Sequence, residues 1–365
     1  MAKSVALALQ GGGAHGAFTW GVLDRLLDEV GAGRLTVSAL SGSSAGAINA
    51  ALCVAGLGSA PTQAQAQAAE HTQDLLGRFW RSLSERAFYQ GNALLGGMVP
   101  GFMNGFNLDW GPVAIGMEMA SMVLSPYDMP LYSNPLAPLL DDYLPPAVLQ
   151  AINHDSAVGL HVCATNVATN RRRVFSQPDI SVSTLLASAC LPCNFRAIHI
   201  DGQAYWDGGF VGNPALAPLV KRAADIVVVT VSPMQAGAAA PRSAREILDR
   251  INDINANAPL VLEMNAIHAV NKLLERLPEE QGTATGFKPI RLHLIRDDQL
   301  MEPLGFVGKG NASAAFLGWL FDGGRASAER WLADHYEHLG NTSSCDWKSD
   351  FDIERDLLDP ALKSG

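Results

Sequence analysis

Cysteine is scarce in this chain: five residues in 365, thinly spread and odd in number. That excludes a disulfide-stapled secreted scaffold and points to a reducing compartment. Basic side chains are outnumbered 26 to 36 by acidic ones, leaving a net charge of −10. A nucleic-acid partner needs a basic field to meet its phosphates, so none is expected. Purely electrostatic docking on an anionic membrane is excluded on the same ground. Long apolar runs are missing too. The best candidate, residues 110–124, is too short to span a bilayer and carries Glu118. Lys3 and "VALAL" resemble the start of a secretory signal, but the run stops at Gln10 and three glycines. The chain therefore reads as soluble and cytoplasmic. Its composition, 48% hydrophobic and 17% charged, is that of a globular protein with a sizeable core.

One further absence decides a motif. Gly11, Gly13 and Gly16 follow a short apolar strand and satisfy G-x-G-x-x-G, a dinucleotide-binding pattern. That reading requires an acidic residue about 20 positions on, at the end of the second strand, to hold the ribose. No Asp or Glu occurs between residues 30 and 69. The dinucleotide reading thus loses its second anchor, and the other anion such a loop can hold is a developing oxyanion.

At the place where the acid should stand, the chain has Gly42-Ser43-Ser44-Ala45-Gly46. The spacing predicts a strand over 35–40 before it and a small-residue helix over 47–58 after it. G-x-S-x-G between strand and helix is the context of a nucleophile elbow, in which Gly42 and Gly46 let strand and helix approach. Ser44 then sits at a helix N-terminus, where the dipole favours a developing alkoxide. The first strand (4–9) and first helix (14–30) precede this unit, so the N–H groups of Gly11, Gly12 and Gly13 are expected to face Ser44 as an oxyanion hole.

Ser44 needs a base. His268 and His293 lie late enough for a hydrolase triad, but the elbow follows only the second strand, which weakens that arrangement. Asp207, ending a strand-like run and followed by Gly208 and Gly209, is the better candidate, since a desolvated carboxylate can accept the serine proton. Read alone, Asp207-Gly208 is also an ordinary turn.

Taken together these segments resemble the patatin-like phospholipase family, in the wider fold shared with cytosolic phospholipase A2. Gly11-Gly12-Gly13-Ala14-His15-Gly16 resembles the family's oxyanion loop. Ser44 matches its nucleophile, and "ASACLP" (187–192) the segment before the second half of the site. Asp207-Gly208-Gly209 matches its D-G-G, with Asn213-Pro214 behind it. The resemblance spans roughly 4–232. It implies a three-layer α/β/α fold around a mostly parallel sheet, a Ser44–Asp207 dyad without histidine, and hydrolysis of lipid acyl esters, with no cofactor and no metal. Many family members carry Arg or Lys where this chain has His15. His15 is thus a candidate auxiliary to a headgroup or the oxyanion, and a neutral or weakly charged ester fits it better.

One domain over 1–340 is expected, followed by an acidic tail, 341–365. Other helices are expected over 71–86, 134–152, 183 to about Pro192, 243–280 and 311–338, and strands over 159–176, 225–233 and 290–296. Residues 87–131, rich in Phe, Met and Gly, read as a lid contacting a lipid surface or as extra core. Asp322-Gly323-Gly324, a second D-G-G, reads as a helix break. Cys190-x-x-Cys193 reads as two ordinary cysteines and Arg171–Arg173 as a solvated turn. An acyltransferase, a polyester or thioester hydrolase, and a non-catalytic lipid-binding regulator remain alternatives on the same scaffold.

Overall fold

The computed structural model describes residues 2–58, 65–87, 125–128, 134–235, 240–278 and 285–347. Most of the candidate lid, 87–131, and the tail beyond 347 lie outside these residues.

Eight strands form one mixed sheet: β1 (Lys3–Leu9), β2 (Leu35–Ser43), β3 (Gly159–Asn166), β4 (Arg171–Ser176), β5 (Ile198–Ile200), β6 (Gln203–Asp207), β7 (Asp225–Val229) and β8 (Arg291–Ile295). The order along the sheet is β5-β6-β3-β2-β1-β7-β8, with β4 paired to β3. Strands β3, β2, β1, β7 and β8 run parallel, whereas β4, β5 and β6 are antiparallel to their neighbours. The central strands are near-continuous apolar runs because both faces are covered. Alternate side chains enter two cores. Val5, Leu7 and Leu9 join one with Val227 and Val229, while Ala6 and Ala8 join the other with Ile226 and Val228. This is the three-layer arrangement expected.

The first core is covered by α1 (Gly16–Gly31), α2 (Ala45–Leu57), α3 (Gln65–Ala87), α4 (Leu136–Tyr143), α5 (Pro146–His154), α6 (Val182–Ser188) and α8 (Ala314–His335). The second is covered by α7 (Ala244–Arg276) through Leu260 and Met264, together with Leu216 and Leu219. Three expectations change. The stretch 134–152 is two helices, because Leu144 leaves the helical region before Pro145. The helix expected to run from 183 to about Pro192 ends at Ser188. Asp322-Gly323-Gly324 does not break its helix but lies inside α8. A Cβ on Gly324 would stand 2.0 Å from the Phe18 carbonyl oxygen, and one on Gly21 would stand 2.0 Å from that of Phe321. The two glycines let α1 and α8 cross backbone to backbone.

Candidate active site

The site is assembled where strands end. On β3, Cys163 pairs with Ser43 of β2 and the next residue, Ala164, pairs with Asp207 of β6. The other edge of β3 is occupied by β4 over both positions. Strands β2 and β6 therefore lie along the same edge of β3 and run toward each other, ending in Ser43 and Asp207. Sequence spacing separates these residues widely; strand pairing brings them together.

Ser44 follows β2 directly and caps α2. Its φ of 53° and ψ of −127° place it in a region that non-glycine residues rarely occupy. Close packing enforces this turn: a Cβ on Gly42 would lie 2.4 Å from the Gly46 carbonyl, and one on Gly46 would lie 2.2 Å from the Leu9 oxygen. The Ser44 N–H donates to the Ser188 hydroxyl at 2.9 Å. Ser188 is a site residue that sequence reasoning passed over, although it stands inside the "ASACLP" segment.

Asp207 is 4% exposed. Its Oδ1 accepts the Gly209 N–H at 2.7 Å, and its own backbone is held by the Cys190 carbonyl (2.8 Å) and the Thr165 hydroxyl (2.7 Å). Its Oδ2 is buried and, among the described residues, has no hydrogen-bond partner. Burial raises the Asp207 pKa to about 6; the Gly209 N–H, the nearby Ser44 side chain and the charge of Lys309 oppose the shift. The carboxyl is thus ionised at neutral pH and within reach of a proton. Cys163 and Cys190, with pKa values pushed by burial to about 12 and 11, are thiols rather than competing nucleophiles. Gly208 is required where the chain passes β3, since a Cβ there would lie 2.1 Å from the Cys163 oxygen.

The glycine loop differs in detail from expectation. Gly11 packs directly on the elbow, where a Cβ would meet the Ser43 oxygen at 2.6 Å and Ser44 Cβ at 2.7 Å. Its N–H is already taken, donating to Asn213 Oδ1 at 2.7 Å. Gly11 is therefore a support and not a free oxyanion donor. Among the described residues no hydrogen bond engages the N–H of Gly12 or Gly13. Gly13 (φ 57°) opens a short 3-10 turn to His15, and Gly16 begins α1 against Ala45. Gln10 fixes the base of the loop: its Oε1 accepts the N–H groups of Val231 and Ser232, and its Nε2 donates to Asn257 of α7.

His15 is buried, edge-on to Phe316, and among the described residues neither ring nitrogen has a hydrogen-bond partner. Burial lowers its pKa to about 3, with the Lys309 charge adding to the effect and the nearby Val231 backbone opposing it. The ring is neutral and offers no exposed polar atom to a headgroup. The late histidines are also placed elsewhere. His293 of β8 is bound to Asp225 and Ser344, and His268 stacks on Trp347.

Residues 7–220 match the family described as patatin-like phospholipase, so more than half of the chain carries its pattern. The chain belongs to the patatin-like phospholipase family, whose members are lipid acyl hydrolases. Among solved structures it resembles VipD from Legionella pneumophila, with 17% identity, a TM-score of 0.38, and coverage of 90% of this chain and 67% of that one. No curated protein sequence is significantly similar to it.

Proposed function

We propose that this protein is a serine esterase of the lipid acyl hydrolase type, working through Ser44 and Asp207 without histidine. The observation that carries this reading is the strained Ser44 at a helix N-terminus beside an unpartnered, buried Oδ2 of Asp207. Ser44 Oγ attacks the ester carbonyl while Asp207 takes its proton. The charge that gathers on the carbonyl oxygen is met by the N–H groups of Gly12 and Gly13. Asp207 returns the proton to the departing alcohol, leaving an acyl group on Ser44. Water then attacks that acyl group, giving its proton to Asp207, and the fatty acid leaves as Ser44 regains its hydrogen.

The substrate is a lipid or other acyl ester met at a surface. Exposed Phe210, beside the D-G-G, and exposed Phe306, Ile251 and Ile254 nearby support transient contact with a lipid surface. Long-chain and short-chain p-nitrophenyl esters, assayed with wild type, Ser44→Ala and Asp207→Asn, test the reading. Both variants should stay folded and lose turnover, and only the wild type and Asp207→Asn retain the serine that a phosphonate can reach. Full activity in Asp207→Asn would return the base to another residue. An inert wild type that no phosphonate labels would favour a non-catalytic lipid binder.

A further inference from the structure

Lys309 belongs to a short 3-10 turn (Val307–Gly310), far along the chain from the glycine loop, the elbow and Asp207. That turn is clamped between two elements of the site. On one side the Lys309 carbonyl presses on the glycine loop, so closely that a Cβ on Gly13 would lie 2.3 Å from its oxygen. Gly308 backs onto His15 in the same way, with 3.0 Å from its missing Cβ to Nε2. On the other side the Phe306 N–H donates to Asp249 Oδ1 of α7 at 2.9 Å. The lysine side chain lies over the Phe306 ring, its Nζ 5.7 Å from the centroid. Among the described residues no hydrogen bond or ion pair holds its ammonium.

A half-buried ammonium without a direct partner is costly unless nearby anions compensate. Burial lowers the Lys309 pKa, and the charges of Asp253, Asp249 and Asp207 raise it again. Its turn lies between the glycine loop and α7, and its charge acts on carboxylates of both sides, Asp207 and the Asp249–Asp253 turn. Asp253 is itself pushed up to about 6 by burial, with Lys309 and Arg250 opposing, and Asp249 and Glu302 adding to the rise. Other titratable and charged groups near this cluster are Arg245, which pairs with Asp249 at 3.8 Å, Arg172 beside Cys163, neutral His15, and the thiols of Cys163 and Cys190.

We propose that Lys309 is a positioning residue of the esterase site, a counter-cation that keeps Asp207 a carboxylate and that Asp253 competes for. The proposal rests on Asp207 being the base for Ser44. It gives a role to the charged side chain on the turn that lies between the glycine loop and α7. It also predicts opposite effects for two substitutions. Removing the cation makes Asp207 harder to ionise, so the acid limb of activity moves to higher pH. Removing Asp253 leaves Lys309 more fully to Asp207, so the limb moves to lower pH.

The test is the pH dependence of kcat/KM for p-nitrophenyl butyrate, followed at the isosbestic wavelength, in the full chain. Wild type, Lys309→Met, Lys309→Arg, Asp253→Asn and Asp207→Asn are compared. Lys309→Met should move the acid limb up by about half a pH unit or more, as expected for loss of one partly screened charge. Lys309→Arg should restore it, and Asp253→Asn should move it down. Superimposed limbs for Lys309→Met and wild type, with Asp207→Asn inactive, would overturn the proposal while leaving the dyad standing. Limbs moving the same way in Lys309→Met and Asp253→Asn would also overturn it. Full turnover in Asp207→Asn would overturn the underlying base assignment, and this proposal with it. Asp253→Asn lies outside the glycine loop and decides the matter if Lys309→Met does not fold.

Discussion

Ser43 and Asp207 end two strands that run toward each other along one edge of β3, paired with its consecutive residues Cys163 and Ala164. Every property of the site follows from that meeting. The next residue, Ser44, turns sharply into α2, and the close approach of Gly42 and Gly46 permits that turn. Asp207 is desolvated because it lies at the junction rather than at an open sheet edge.

The strain at Ser44 is measurable. Its φ and ψ suit glycine, and holding another residue there costs about 1–3 kcal/mol. Ser44→Gly and Ser44→Ala should both be inactive, but the glycine variant should unfold at a higher temperature than the alanine variant. Equal melting temperatures would show that the turn carries no strain.

Activity should fall as pH drops through about 6, the value to which burial lifts Asp207, because the base works only as a carboxylate. The same group sets a stability trend of opposite sign. A carboxyl whose folded pKa is raised binds its proton more tightly when folded, so stability declines as pH rises from about 4 through 6. Asp207→Asn should therefore abolish turnover yet stabilise the protein at pH 7, by roughly 2–3 kcal/mol. Urea titrations at pH 4 and pH 7 check this, since the advantage should shrink at the lower pH.

Ser188→Ala should lower kcat about tenfold with little change in KM. The variant leaves the Ser44 N–H without its acceptor and so loosens the elbow rather than the substrate pocket. A rise in KM with kcat intact would mean that Ser188 touches substrate instead.

At the other end of β7, Asp225 accepts two hydrogen bonds from Arg291 and one each from His293 and Gly340. Burial alone would raise its pKa, but Arg291 and then His293 hold it well below the ordinary carboxylate range. This pairing stabilises the fold above the unfolded pKa and is lost as pH falls below about 4. Asp225→Asn should lower the melting temperature at pH 7, with the gap to wild type narrowing in acid. His293→Gln should keep kcat/KM within about threefold, because His293 serves this latch and not the serine.

Much of this was legible in residue order. The elbow, the glycine loop and the D-G-G each announce themselves because a tight approach admits only small residues, and small residues in sequence are conspicuous. The missing acid between 30 and 69 was as informative as any motif. Other features depend on what the chain meets after folding. Nothing near Gly11 in sequence reveals that Asn213 occupies its N–H. Gly323 and Gly324 read as a break because glycine disfavours helices, yet packing of α8 on α1 outweighs that preference. His15 could be foreseen as neutral, but not as buried beneath Gly308. Lys309 lies in a short turn without a pattern of its own, so its position beside the loop appears only in three dimensions.

The pressure of the Lys309 carbonyl on Gly13 also bears on when the protein can work. All the motif residues have been synthesised by Asn213, long before β8, the 307–310 turn and α8 leave the ribosome. Until then the glycine loop lacks the Lys309 carbonyl that packs against Gly13. Backing of the glycine loop therefore depends on segments made well after the last motif residue.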